Sequence, residues 1–415
     1  MTQQLDRARL LINYRRYSEA QNEIVQYLSA EPYDSEAHAL LAIVHLSQLN
    51  IDEARKAIEA AISLAPDEAF NFYISSKIFF HQENYIEAKK NINHAIAIHP
   101  LVAEYYAWLA QLQMHSKDYG EALATADEGL ALEADNINCL NIRAIALTKL
   151  NQKEEAYQTI RDALTGDPEN SLTHANTGWS LLEHGDYKPA LKHFTEALRL
   201  QPNNEWAKSG MVEALKARYI IYRLFLRYMF WIGKMKSNKQ WMIIIGLYVL
   251  VQLLKGVSNR FPAIEMLIAP LLILYGIFAF STWIIQPLFN LLMLIHPQGK
   301  YALTKHEQLS AGFVGVSLLI GLLSVLLMFF YNENDGWFAL AVFAISFSLP
   351  LANIYKPVKR RNRLMLQLFA AVLGVAGLIS IMLAFAANPA YQIAGLIYLG
   401  LLLAFQFMAN YLNSR

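Results

Sequence analysis

Few residues in this chain combine the type and spacing that chemistry needs. His81 and His115 stand one sequence period of 34 residues apart. Two imidazoles can begin a metal site, but zinc takes three or four ligands and nothing nearby completes the set. Cys139 is the single cysteine, so an internal disulfide and a thiolate cage are both excluded, and it reads as a small packed residue. There is no HExxH, no GxSxG and no glycine-rich phosphate loop, so neither a catalytic centre, a metal nor a cofactor is expected. Glu265 is the one ionisable residue well inside a long apolar stretch. An acid so placed either relays protons or is neutralised by Lys255 or Arg260 in the adjoining loop.

These residues are carried by two unlike halves joined at Lys216–Lys236. At 100° per residue, Lys216, Arg223, Arg227 and Lys234 fall within roughly 20° of one line on a helical wheel. The remainder of that stretch is mostly aromatic and aliphatic. A narrow basic stripe on a broad apolar helix suits a membrane interface, and these four residues are the expected headgroup contacts. Over all 415 residues the content is 55% hydrophobic and 17% charged, with a net charge of +1. That is too apolar for a purely soluble chain, and too neutral to predict binding of nucleic acid.

Before the junction the sequence repeats every 34 residues. Stepping from Met1, position 20 is Ala20, Ala54, Ala88, Ala122, Ala156 and Ala190. Position 8 is always small (Ala8, Ala42, Ser76, Ala110, Ala144, Gly178), and position 32 is proline in five windows of six. Two helices of about a dozen residues approach closely only where side chains are small, so positions 8 and 20 are expected to face each other. Proline ends the second helix because it lacks the ladder N–H.

This pattern, clearest in NIDEARKAIEAAISLAPDE (50–68) and GDYKPALKHFTEALRLQPNN (185–204), resembles the tetratricopeptide repeat. The resemblance covers six windows and implies a right-handed all-α solenoid. In that family ligands, usually peptides, bind the surface lined by the first helix of each pair. Carried over position by position, the groove candidates are Phe70, Tyr73, Lys77, Gln111, Asn138, Asn141 and Trp179, with Glu104 beside them. Amide and aromatic side chains there can hold an extended peptide. The subclass that clamps C-terminal carboxylates has asparagine where this chain has Lys77, and its matching basic pair is missing, so a clamp of that kind is not expected.

Residues 205 to about 217 read as a capping helix that continues unbroken through the basic stripe to Lys236. After a turn at 237–239, six apolar spans are expected: 241–257, 261–285, 309–331, 337–355, 364–387 and 390–411. The stretch 288–295 is too short to cross again and reads as an interfacial tail. Basic residues concentrate at 216–240 and at 356–363, whereas 332–336 is acidic. The positive-inside rule therefore places both ends of the six-span bundle on the cytoplasmic side. No apolar signal core occurs in the first seventeen residues, so residues 1–215 are expected to stay on that side too.

The sequence thus predicts an all-α protein with repeats over 1–204, a capping and interfacial helix over 205–240 and a membrane domain over 241–415. The expected role is an integral-membrane adaptor, in a bacterial inner membrane, whose repeats bind a protein or peptide and whose junction contacts lipid. The alternative is a polytopic transporter or membrane enzyme regulated by its repeats. The oligomeric state is not legible.

Overall fold

The computed structural model describes residues 2–260, 262–295, 303–331, 335–357 and 359–413, and every regular element among them is helical. Two compact units emerge, Met1–Ala207 with Gly233–Lys236, and Lys208–Ile232 with Ser237–Arg415.

The first unit opens with six helix pairs. They are α1 Thr2–Asn13 and α2 Tyr17–Ala30, α3 Ser35–Ser47 and α4 Ile51–Leu64, α5 Ala69–His81 and α6 Tyr85–Ile98. Next come α7 Ala103–His115 and α8 Tyr119–Leu132, α9 Ile137–Lys149 and α10 Lys153–Gly166, and α11 Ser171–Glu183 and α12 Tyr187–Leu200. Within the six pairs each odd helix packs on the even helix that follows it, and that even helix packs on the odd helix of the next pair.

Small residues set this approach, as the spacing predicts. Ser76 at position 8 donates to the Ala88 carbonyl at position 20, 2.7 Å away, and both residues are fully buried. A Cβ added at Gly178 would lie 2.6 Å from the Phe194 ring, so the sixth pair needs glycine to seat that phenylalanine. Ile24, Ile58, Ile92 and Phe194, all at position 24, are sealed from solvent and fill the grooves between pairs.

The turn inside each pair has its own chemistry. Arg15, Leu49, Glu83, Lys117, Asn151 and Gly185, again 34 apart, all adopt positive φ between 60° and 91°. In the second pair the Leu49 and Asn50 N–H groups donate to the Leu46 and His45 carbonyls at 3.0 and 2.9 Å. This is a Schellman closure, in which a left-handed residue satisfies the last helical carbonyls. At the other end of the pairs, Asp34, Asn136, Asn170 and Asn204 accept a backbone N–H three residues on, each at 3.0 Å, and so cap the next odd helix.

The expected continuous helix to Lys236 is broken. α13 Glu205–Lys216 ends in a turn, and α14 Ile220–Gly233 starts afresh. Tyr222 donates its hydroxyl to Glu213 at 2.5 Å. Nine residues apart on one straight helix, the two would lie on opposite faces about 13 Å apart along the axis. Only a reversal brings them together, and burial of Tyr222 and Phe225 against Ile285 and Phe289 supplies the driving force.

The second unit continues with α15 Ser237–Arg260 and α16 Pro262–Ile295. Then follow α17 Lys305–Phe330, α18 Asp335–Asn353, α19 Arg360–Phe385 and α20 Tyr391–Asn413. The last four are long and apolar enough to cross a membrane. Where the sequence suggests a break before Pro287 and a separate tail, α16 runs on to Ile295. The proline removes one ladder bond, but Ile285, Phe289 and Met293 bury that turn among apolar neighbours. Of the two earlier expected spans, the side chains of 257–267 and 277–284 lie outside the described residues, Glu265 among them.

Close helix contact in this unit again relies on small residues. Ser317 on α17 donates to the Ala344 carbonyl on α18 at 2.6 Å, and a Cβ at Gly321 would lie 2.7 Å from the Ile345 side chain. Phe329, Phe330, Leu368, Met382, Leu396 and Phe407 remain open on the outside of these helices. An apolar exterior of that kind is stable in hydrocarbon and unstable in water.

Candidate functional site

A cavity of about 430 Å³ runs along the first helices of repeats three to six. α5 contributes Lys77 and Phe80, α7 contributes Glu104, Trp108 and Gln111, α9 contributes Asn138, Asn141, Ile142 and Ile145, and α11 contributes Leu172 and Asn176. Successive first helices lie side by side, so residues about 34 apart become neighbours across the groove.

Glu104 is the hub of the polar side. Its two carboxylate oxygens accept the Tyr73 hydroxyl at 3.1 Å and the Asn138 amide at 2.9 Å. Burial and the Glu104 charge raise the pKa of Tyr73, so its phenol stays a donor. The Lys77 ammonium sits 4.1 Å above the Tyr73 ring and 5.3 Å from the Trp108 ring. Surrounding protein lowers its pKa, and Glu104 partly offsets the effect. Trp108 is fixed in turn by donation to Ser76 at 2.8 Å. Asn141, almost fully buried, donates to Thr173 at 2.9 Å. Amide groups, one cation and one carboxylate thus border an apolar strip of Ile142, Ile145 and Leu172. The set suits an extended chain with alternating polar and apolar contacts.

Four of the seven residues carried over from the repeat pattern, Lys77, Gln111, Asn138 and Asn141, line this one cavity. The other three are placed elsewhere. Tyr73 lies beneath Lys77 as a buried support, and Phe70 leans on Tyr73 with ring centroids 6.1 Å apart. Trp179 stacks on Trp206 of α13 at 4.7 Å, meets the Phe194 ring and donates to the Trp206 carbonyl at 3.2 Å. Its ring is half-buried in that stack and does not line the cavity. Among lining residues, Phe80, Ile145 and Asn176 carry no signature in the sequence beyond their helix face.

The histidines also sort differently from their spacing. His115 packs on Phe80 and on Tyr85, the latter with centroids 4.4 Å apart, while His81 packs on Phe80. Among the described residues no three potential ligands cluster. A histidine pair that spacing does not announce joins α11 and α12, with His174 Nδ1 3.0 Å from His193 Nδ1. His174 Nε2 lies 3.1 Å from the Pro168 carbonyl, and burial together with His174 pushes His193 down to about 4.

The basic stripe does not survive as one face. Lys216 is 2% exposed, pairs with Glu213 at 3.1 Å and lies 5.5 Å from the Tyr222 ring. Lys234 reaches Glu183 at 3.0 Å and Asn151 at 2.7 Å. Both expected headgroup contacts are therefore spent on protein carboxylates, because the turn at 217–219 and the end of α14 rotate them away from a common line. Arg227 is exposed and Arg223 half-buried.

Stacked helix pairs with a 34-residue period and a groove along their first helices define a helical-repeat binding fold. Residues 5–69 and 171–204 each match a family model described as Tetratricopeptide repeat. The first unit thus carries tetratricopeptide repeats, and no family model matches the C-terminal part of the chain. Solved structures similar to it include YrrB, described as "a TPR protein with an unusual peptide-binding site", at 17% identity. That match covers 44% of this chain and 95% of YrrB with a TM-score of 0.33. Pseudomonas aeruginosa pilF matches at 17% identity over 51% of this chain and 96% of its own, with a TM-score of 0.42. PilW, described as a type IV pilus biogenesis factor, matches at 16% over 49% and 93%, with a TM-score of 0.40. No curated protein matches the chain.

Proposed function

We propose that this chain is a membrane-anchored adaptor whose repeat groove captures a protein or peptide segment beside the bilayer. The cavity around Lys77, Glu104, Gln111 and Asn138 carries this reading, because it combines amide groups, one cation, one carboxylate and an apolar strip on a fold that typically scaffolds. The membrane unit supplies the anchor, with six spans and both ends cytoplasmic. This arrangement follows from the basic loops at 216–240 and 356–363 and suits a bacterial inner membrane. Arg223 and Arg227 are the proposed lipid contacts of the junction. Its role is that of a scaffold and not of an enzyme.

A photo-cross-linking residue at Gln111, compared with one at exposed Lys90, tests the proposal in native membranes. Adducts specific to position 111 that vanish on Lys77→Glu are expected. Identical adducts from both positions would rule the groove out.

A further inference from the structure

A second cavity, of about 570 Å³, lies wholly inside the membrane unit, where α16, the start of α17, the turn after α18 and the start of α19 converge. The groove reading leaves it without a role. Its lining is far more polar than the rest of that unit, with Asn290, His306, Glu307, Lys356 and Arg363 all facing it.

Its charges do not cancel. Glu307 is committed to the N-terminus of α17, where its carboxylate accepts the Thr304 N–H and hydroxyl, both at 2.8 Å. Arg363 Nη1 donates to His306 Nε2 at 2.8 Å. His306 is held flat on Tyr355 with ring centroids 5.3 Å apart. Lys356 is exposed and makes no ion pair among the described residues. Two cations therefore border a recess whose one carboxylate already serves a helix cap.

The recess also holds an unanswered acceptor. Asn290 is 7% exposed, and its Oδ1 has no hydrogen-bond partner among the described residues. A buried amide oxygen left unpaired is costly, and its place in the cavity wall asks for a donor from whatever enters. Two cations and an unpaired acceptor in one lining describe a ligand that is both anion and donor.

We infer that this recess binds a phosphate ester that also carries a hydroxyl, with the phosphate between Lys356 and Arg363 and the hydroxyl donating to Asn290. The mouth lies at the ends of three helices long enough to span a membrane, which is where phospholipid headgroups reside. A soluble phosphate ester offers the same chemistry.

Native mass spectrometry of the full-length chain in detergent separates these cases. Phosphatidylglycerol is expected to remain bound about tenfold more tightly than phosphatidylcholine, which lacks both net charge and a hydroxyl donor. Lys356→Gln with Arg363→Gln should abolish the preference, and Asn290→Leu should reduce it. Lys356→Arg and Arg361→Gln, the latter in the first turn of α19 but not among the lining residues, should keep it. Displacement of the lipid by glycerol 3-phosphate would make a soluble ester the occupant, and its failure to compete would make the lipid the occupant. Equal retention of both lipids with no effect of glycerol 3-phosphate, or equal loss with Arg361→Gln, would overturn the inference.

Discussion

Lys234 closes on Glu183 at 3.0 Å, and the same carboxylate takes Lys149 at 2.5 Å. The Glu183 side chain is 6% exposed, so two ammonium groups and not water hold its charge. Alongside, Lys117 donates to the Met235 carbonyl at 2.6 Å and Lys236 pairs with Asp118. Residues 233–236 are thus strapped to the fourth, fifth and sixth repeats at the ends of their first helices. Glu183→Gln leaves two partly buried cations facing a neutral amide and should cost about 3 kcal/mol. Trypsin cleavage after Lys234 should then quicken markedly in limited proteolysis. An unchanged cleavage rate would show that the strap does not depend on this glutamate.

The left-handed turn at position 15 of each repeat offers a stabilising change. Five of its six occupants carry a Cβ that this conformation penalises by roughly 1–2 kcal/mol, and only Gly185 avoids the penalty. Leu49 is 70% exposed, so its side chain has little packing to lose. Leu49→Gly should raise stability by about 1 kcal/mol, after the added entropy of the unfolded chain is subtracted. Thermal denaturation of the two proteins side by side measures it. A lower midpoint would mean that Leu49 packs better than its exposure implies.

The repeats were legible because their packing is local and periodic. Ala88 and Ser76 reveal a contact by their size alone, and prolines 34 apart reveal where helices stop. The position-15 turn was hidden because Arg, Leu, Glu and Lys are not the residues that usually mark positive φ. Groove membership was half legible. Lys77, Gln111, Asn138 and Asn141 come from positions carried over from the resembled repeat, whereas the stacking of Trp179 on Trp206, 27 residues later, leaves no mark in the repeat pattern. The break after Lys216 was illegible for a similar reason: no glycine or proline marks it, and it arises from the burial of Tyr222 against α16. Orientation of a basic stripe likewise assumes a straight helix, and one turn was enough to bury Lys216 beside Glu213.

The His174–His193 pair makes the repeat unit sensitive to acid. His193 has its pKa lowered from 6.5 to about 4 in the folded chain, so the unfolded state binds more protons between those values. The contribution is fully present above pH 6.5, is lost as the pH falls toward 4, and does not change further below. Discounted for its partial exposure, the loss should be on the order of 2 kcal/mol. His193→Gln should flatten this part of the profile when the thermal midpoint is followed from pH 7 to 4. An equal slope in both proteins would assign the acid sensitivity to other groups.

Of the two arginines proposed to contact lipid at the junction, Arg227 is the more exposed. Lys216 and Lys234 are consumed by Glu213 and Glu183, so changing either should destabilise the fold before it alters lipid contact. Arg227 is exposed on α14 near Met229 and Trp231, which are 40% and 50% exposed. A basic residue near an anionic surface is worth about 1 kcal/mol, so Arg227→Glu should weaken that attraction by about 2 kcal/mol at low salt. A fluorophore on Met229→Cys reports this when the full chain is reconstituted with brominated lipids. Quenching by anionic bromolipid should exceed that by zwitterionic bromolipid in the parent protein and fall to the same level in Arg227→Glu. If the two lipids quench equally before the change is made, α14 does not rest on charged headgroups at this position.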